Sequence, residues 1–150
     1  FAAVITNGII AGIGEAVGIE AESHYVFDVM SPFQVFLFIF LYASLAEEVL
    51  FRGFLQNILK PLQDRGIKLF KKHISLPVII GAIAFSLAHL ILIASGAGTY
   101  FIFRTLVFTF VLGLIAGYYQ EKYDNNAYAI IVHMSANLMG MIVSVLSLLN

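Results

Sequence analysis

Five apolar stretches, at residues 1–19, 33–59, 76–95, 99–119 and 126–149, take up most of this 150-residue chain. Four are close to the roughly 20 residues that carry a helix across about 30 Å of hydrocarbon, and the longer stretch 33–59 should tilt or protrude. Buried strands are also apolar, but they run to about 5–6 residues, and no alternation of period two extends over these lengths. Backbone in lipid must satisfy its own hydrogen bonds, which leaves helices. Composition agrees: hydrophobic types make up 61% of the chain, and only 8 basic and 9 acidic residues stand against them. The mean hydropathy is +0.95, whereas a soluble domain carries about 25% charged residues. The expectation is an all-α fold, a polytopic transmembrane helix bundle of about five spans in one domain over residues 1–150.

Other features narrow the partners. A net charge of −1 gives no basic face for nucleic acid, so membrane lipid is the expected surrounding and nucleic acid is not a partner. The absence of cysteine removes disulfides, thiolate metal sites and a cysteine nucleophile. Tryptophan is also absent, so aromatic anchors at the membrane surface must come from the seven tyrosines. The chain opens at Phe1 inside an apolar run without a signal-peptide pattern, which reads as a fragment.

The connections sort by charge. The stretch from Glu20 to Pro32 is acidic, with Glu20, Glu22 and Asp28. Lys60, Arg65, Lys68, Lys71 and Lys72 fall within 60–75, and Lys122 falls within 120–125. With antiparallel spans those two loops share a side, which the positive-inside rule makes cytoplasmic. Within 60–75, Ile67, Leu69, Phe70 and Ile74 beside the lysines fit a short interfacial helix or a solvated basic loop. Small residues four apart, at Gly8/Gly12, Gly14/Gly18 and Gly113/Gly117, let helices approach closely in lipid, and packing within the bundle is expected ahead of dimerisation. No internal repeat or linker divides the chain.

Ionisable groups in mid-membrane are costly enough to be functional or tightly paired by default. Glu15 and Arg104 lie near segment ends and can snorkel. Glu47 lies about 21 Å along its helix from Phe33, at 1.5 Å per residue. Glu48 and Arg52 are spaced i,i+4 and neutralise each other on one face, while Glu47, rotated about 100° away, has no partner at that spacing. An unpartnered carboxylate in low dielectric suits general acid–base work near neutrality. His89 lies about 20 Å along its own segment, one turn after Phe85, and His133 with Asn137 forms a second i,i+4 pair. Ser86 and Ser135 have no histidine on a matching face, which argues against a serine nucleophile. Three helices thus carry polar groups at similar depth. Facing one another, they supply a base, an orienting partner and donors for an oxyanion, the inventory for attack of water on a carbonyl.

Three motifs then stand in order. Glu47-Glu48-Val49-Leu50-Phe51-Arg52 fits EExxxR, Phe85 to His89 fits FxxxH, and His133 to Asn137 fits HxxxN. Together, from about 43 to 140, they resemble the CPBP (Abi) family of intramembrane proteases, which includes CAAX prenyl endopeptidases of the Ras-converting-enzyme type and bacteriocin-processing or immunity proteins. The resemblance implies an intramembrane endopeptidase in which Glu47 and His89 activate water and His133 and Asn137 stabilise the oxyanion. It implies supporting roles for Glu48 and Arg52, which orient Glu47, and for Phe85, packed beneath His89. It implies a peptide, prenylated or leader-bearing protein substrate, no required cofactor, and N-terminal helices beyond those present. Asn is a poor zinc ligand and HExxH is absent, but Glu47, His89 and His133 could form a zinc site, so a zinc-dependent form stays open. Two further alternatives are a non-catalytic immunity or binding protein of the same fold, which would not need all the motif residues, and a transporter, for which the repeats and broken helices are lacking.

Overall fold

The computed structural model describes residues 2–19, 29–69 and 71–147, with side chains up to residue 142. The acidic positions Glu20, Glu22 and Asp28, and Phe70 of the basic loop, lie outside the described residues. The all-α expectation holds: among the described residues the body is formed by five helices, α1 (Ala2–Ala16), α2 (Pro32–Gln56), α3 (Leu76–Ile93), α4 (Thr99–Tyr123) and α5 (Asn126–Ser147). Among the described residues, α2, α3 and α4 are long and apolar enough to cross a membrane, and α1, at 15 residues, is shorter.

Local sequence sets the helix ends. Ser31 caps α2 in a reciprocal box: its Oγ accepts from the Gln34 amide at 3.3 Å, and Gln34 Oε1 accepts from the Ser31 amide at 2.8 Å. Pro32 opens the helix, where a missing N–H costs nothing. Ser75 caps α3, accepting from the Val78 amide at 3.4 Å. Gly96, at φ +81°, turns the chain between α3 and α4, a conformation that suits glycine. Asp124, at φ 46°, closes α4 in the left-handed conformation that Asp tolerates better than most side chains.

Two helices depart from regular α geometry. In α2 the backbone is π-helical over Val35–Ala43, α-helical over Ser44–Glu48, and π-helical again over Val49–Gln56. The looser i→i+5 winding is rare and concentrates at functional sites. In α3 the winding tightens to 3₁₀ over His89–Ile93.

Packing centres on α4, which lies against α1, α3 and α5. A Cβ added at Gly113 would sit 2.9 Å from Ala82 Cα and 3.0 Å from Arg52 Nη2, and one at Gly117 would sit 2.8 Å from Gln56 Oε1. Bare backbone here lets α2 and α3 close on α4, as the spacing predicts. Gly8 and Gly12 are different: among the described residues nothing lies within 4 Å of a Cβ added at either. Instead α1 is tied to α4 by the Tyr100 hydroxyl, which donates to Ile10 O, and by Arg104 Nε, which donates to Asn7 Oδ1 at 3.3 Å. The buried core gathers Ala3, Phe85, Leu112 and Ala136, with Phe51, Phe108, Val111 and Val132 against it.

The basic loop corrects one of its two readings. In place of an interfacial helix, a single 3₁₀ turn at Lys60–Leu62 leads into an exposed β-hairpin, β1 (Gly66–Leu69) antiparallel to β2 (Lys72–Ser75), with Ile67 opposite Ile74 and Leu69 opposite Lys72. Facing β-branched isoleucines favour extended pairing, and Lys71, at φ 67°, supplies the positive φ of the turn. Lys60 Nζ meets Asp124 Oδ1 at 2.8 Å and Ser75 Oγ donates to Glu121 Oε2 at 2.5 Å, so loops 60–75 and 120–125 do share one end of the bundle.

Candidate active site

The motif residues of α2, α3 and α5 converge. Within the α-helical turn Ser44–Glu48, Glu47 and Glu48 project about 100° apart, and one imidazole lies between them. His133 Nδ1 is 2.8 Å from Glu48 Oε1, and His133 Nε2 is 3.8 Å from Glu47 Oε2. A carboxylate only accepts, so Nδ1 carries the proton on the Glu48 side, and Nε2 is left facing Glu47.

Glu48 does double duty, because Arg52 Nη1 also reaches its Oε1, at 3.0 Å, as the i,i+4 spacing predicts. Both side chains of that pair are fully buried. Arg52 lies over the face of Phe85, 4.5 Å from the ring centroid. Phe85 in turn meets His89 and His133 edge-on, with centroids 5.0 and 5.5 Å away. One aromatic ring thus spaces both imidazoles and stacks on the guanidinium, which is more than packing beneath His89. His89 stands where α3 tightens to 3₁₀, and its Nδ1 is 3.0 Å from Phe85 O. The carbonyl accepts, so Nδ1 donates and Nε2 is free to act.

Exposure separates the two glutamates. The side chain of Glu48 is 0% exposed, whereas that of Glu47 is 33% exposed. The first is committed to Arg52 and His133; the second keeps part of its surface uncovered. Asn137 donates its amide to Ser44 Oγ at 2.9 Å and to Ile39 O at 3.3 Å, which pins α5 to α2. Among the described residues no three His, Asp or Glu side chains stand where they could jointly hold a metal ion. The serine hydroxyls are spent on backbone: Ser86 on Leu106 O and Ser135 on Ile131 O.

Three residues join this site that the motifs do not contain. Ser44, fully buried, holds Asn137. Asn126, two turns before His133 on α5, donates to Glu48 O at 3.1 Å. Gln56, one turn beyond Arg52, donates to Gly117 O at 3.0 Å and to Gln120 Oε1 at 2.8 Å. Their signal was heptad and i,i+4 spacing from the motif residues: 126, 133 and 137 share a face of α5, and 48, 52 and 56 share a face of α2.

Compared with known proteins, residues 29–139 match the family described as Type II CAAX prenyl endopeptidase Rce1-like. The matched span covers most of the chain and every motif residue above. No curated protein and no solved structure matches it.

Proposed function

The chain belongs to the Rce1-like family of type II CAAX prenyl endopeptidases, and we propose that it is an intramembrane endopeptidase in which Glu47 and His89 activate the attacking water. The family and the apolar helices make it an integral membrane protein of a protease family; the residue roles that follow are our reading. The observation that carries it is the division of labour between adjacent glutamates. Glu48 is buried and doubly engaged, and Glu47 is left open beside an imidazole.

In this reading Glu47 takes a proton from water as the oxygen attacks the scissile carbonyl carbon. The carbonyl oxygen becomes the oxyanion of a tetrahedral intermediate. The C–N bond then breaks, the leaving nitrogen receives the proton held on Glu47, and a carboxylic acid and an amine result, the acid then passing its proton to the amine in water. His89, its Nδ1–H fixed on Phe85 O, offers Nε2 to the same water. His133 donates from Nε2 to the oxyanion when the ring carries both protons, Nδ1–H being held by Glu48. Asn137 gives up its bond to Ser44 or Ile39 to donate beside it. The geometry favours Glu48 and Arg52 as orienting groups for His133 rather than for Glu47. Carboxylate–histidine pairs fix tautomer and ring angle in this way.

We take the substrate to be a peptide or a prenylated protein, as the family implies, and we place the end of the bundle that gathers the basic loops on the cytoplasmic side. The test is cleavage of prenylated and unprenylated CAAX-ended peptides by the purified protein, read by mass spectrometry, with Glu47→Ala as control. New carboxyl and amino termini that disappear in the variant are expected. Equal product from both proteins overturns the assignment, and no product from any peptide with folded protein favours the non-catalytic alternative. The same assay after exhaustive dialysis against a strong chelator is expected to keep its rate; stoichiometric zinc whose removal stops cleavage would instead assign Glu47, His89 and His133 to a metal.

A further inference from the structure

The β-hairpin lies outside the proposed chemistry, yet it exposes a combination of groups that water alone does not favour. Ile67 and Leu69 project from the same face of β1, two residues apart, and are 55% and 46% exposed. Arg65 precedes the strand, Lys68 projects from its opposite face and Lys71 stands in the turn, and the three form no ion pair among the described residues. The other nearby cations are engaged: Lys60 pairs with Asp124, and Lys72 and Lys122 lie over tyrosine rings.

Those rings fix the level of the hairpin. Lys72 Nζ is 5.0 Å from the centroid of Tyr118, so the hairpin abuts the last turns of α4. Tyr118, Tyr119, Tyr123 and Tyr128 form a connected aromatic cluster there, with Tyr123 stacked on Tyr128 at 4.2 Å. In a chain without tryptophan, such a tyrosine cluster at one end of apolar helices marks the headgroup level, where amphipathic rings settle. An apolar strand face at that level meets acyl chains, and free cations beside it meet headgroups.

We propose that the hairpin Gly66–Ser75 lies in the membrane interface and binds the headgroups of anionic phospholipid through Arg65, Lys68 and Lys71, with Ile67 and Leu69 set into the acyl boundary. Charge complementarity selects this occupant: three cations without an ion pair, Arg65, Lys68 and Lys71, outnumber the one acidic side chain beside them that also lacks one among the described residues, Asp64, and each basic residue near an anionic bilayer surface strengthens binding roughly fivefold. A zwitterionic surface, or a protein partner, would leave that excess of charge or the apolar pair without a match. The proposal rests on the membrane-embedded fold and not on the chain's being a protease, so cleavage assays and this test fail separately.

The absence of tryptophan provides the probe. Ile67→Trp, or Leu69→Trp as a second reporter, places one indole at an exposed position of the full chain, reconstituted in vesicles of phosphatidylcholine or of phosphatidylcholine with phosphatidylglycerol. Phospholipids brominated high on the acyl chain are expected to quench the blue-shifted emission, more strongly in the anionic vesicles. Adding Lys68→Glu and Lys71→Glu should abolish the difference between the two lipids. Emission of a hydrated indole that bromine does not quench overturns the proposal. So does blue-shifted emission without quenching, which means burial against protein, and so does quenching indifferent to lipid charge and to the lysine reversals.

Discussion

Glu47 and Glu48 are covalent neighbours of identical chemistry, and their surroundings give them different work. A buried carboxylate that serves Arg52 and His133 at 3.0 and 2.8 Å is part of the framework. Glu48→Gln removes the charge that compensates Arg52, and breaking a buried pair by removing one partner costs about 3–5 kcal/mol. A clear fall in unfolding temperature in detergent is therefore expected, and Glu48→Gln combined with Arg52→Met should recover part of it, since the uncompensated cation is then gone. Glu47→Gln should leave the unfolding temperature near that of the parent and abolish turnover, because an amide takes no proton from water. Retention of near-parental rate by Glu47→Gln would end its assignment as base. At Asn137 the expected change is in kcat: losing one oxyanion donor costs about 10²–10³-fold, with KM within a few-fold. A raised KM at unchanged kcat would make Asn137 a substrate-binding residue instead. Much of this site was legible in sequence because i,i+4 pairs need only helical geometry, which covers Glu48–Arg52 and the shared face of His133 and Asn137. What spacing could not give was the meeting of Glu48 with His133, 85 residues apart. That contact depends on how α5 seats against α2, and it puts the imidazole of His133 against Glu48.

Helices obey the same logic through their small residues. Gly113 and Gly117 look no different in sequence from Gly8 and Gly12, each pair being four apart in an apolar run. The difference lies in what each face meets. Gly113→Val would push a side chain into Ala82 and the end of Arg52, so overpacking by about 1–3 kcal/mol is expected, together with lost activity because Arg52 moves. Gly8→Val meets nothing within 4 Å and should change stability by no more than about 0.5 kcal/mol. Thermal unfolding of the two variants side by side checks the contrast, and equal destabilisation would contradict this packing of α4. The hairpin was illegible for a related reason. Ile67, Leu69 and Ile74 among lysines satisfy a helical or an extended pattern over so few residues, and the choice is made by the pairing of Ile67 with Ile74. Periodicity needs length to speak, and the long apolar helices have it where this loop does not.

Taken as a whole, the chain's charge is asymmetric along one axis. Lys60, the hairpin and Lys122 gather at one end of the bundle, while the turn at Ser95–Gly98 at the other end holds no basic residue. Helix α4 joins the two ends, and its 25 residues span about 37 Å at 1.5 Å per residue, enough to cross the hydrocarbon and reach both surfaces. Its ends therefore test the crossing and its direction in one measurement. The chain has no cysteine, so a single cysteine at Lys122 or at Ser95 is the only thiol a reagent can find, and both positions are exposed. Lys71 is a poorer choice, because a hairpin set into the interface would shield it for reasons unrelated to sidedness. Since basic loops are retained in the cytoplasm, Lys122→Cys should react with an impermeant maleimide only in inside-out vesicles or opened cells. Ser95→Cys should react in intact cells. Labelling of both from the same side would mean that α4 does not cross the membrane, whereas labelling with the sides exchanged would keep the crossing and invert the orientation, turning the face that gathers the basic residues away from the cytoplasm.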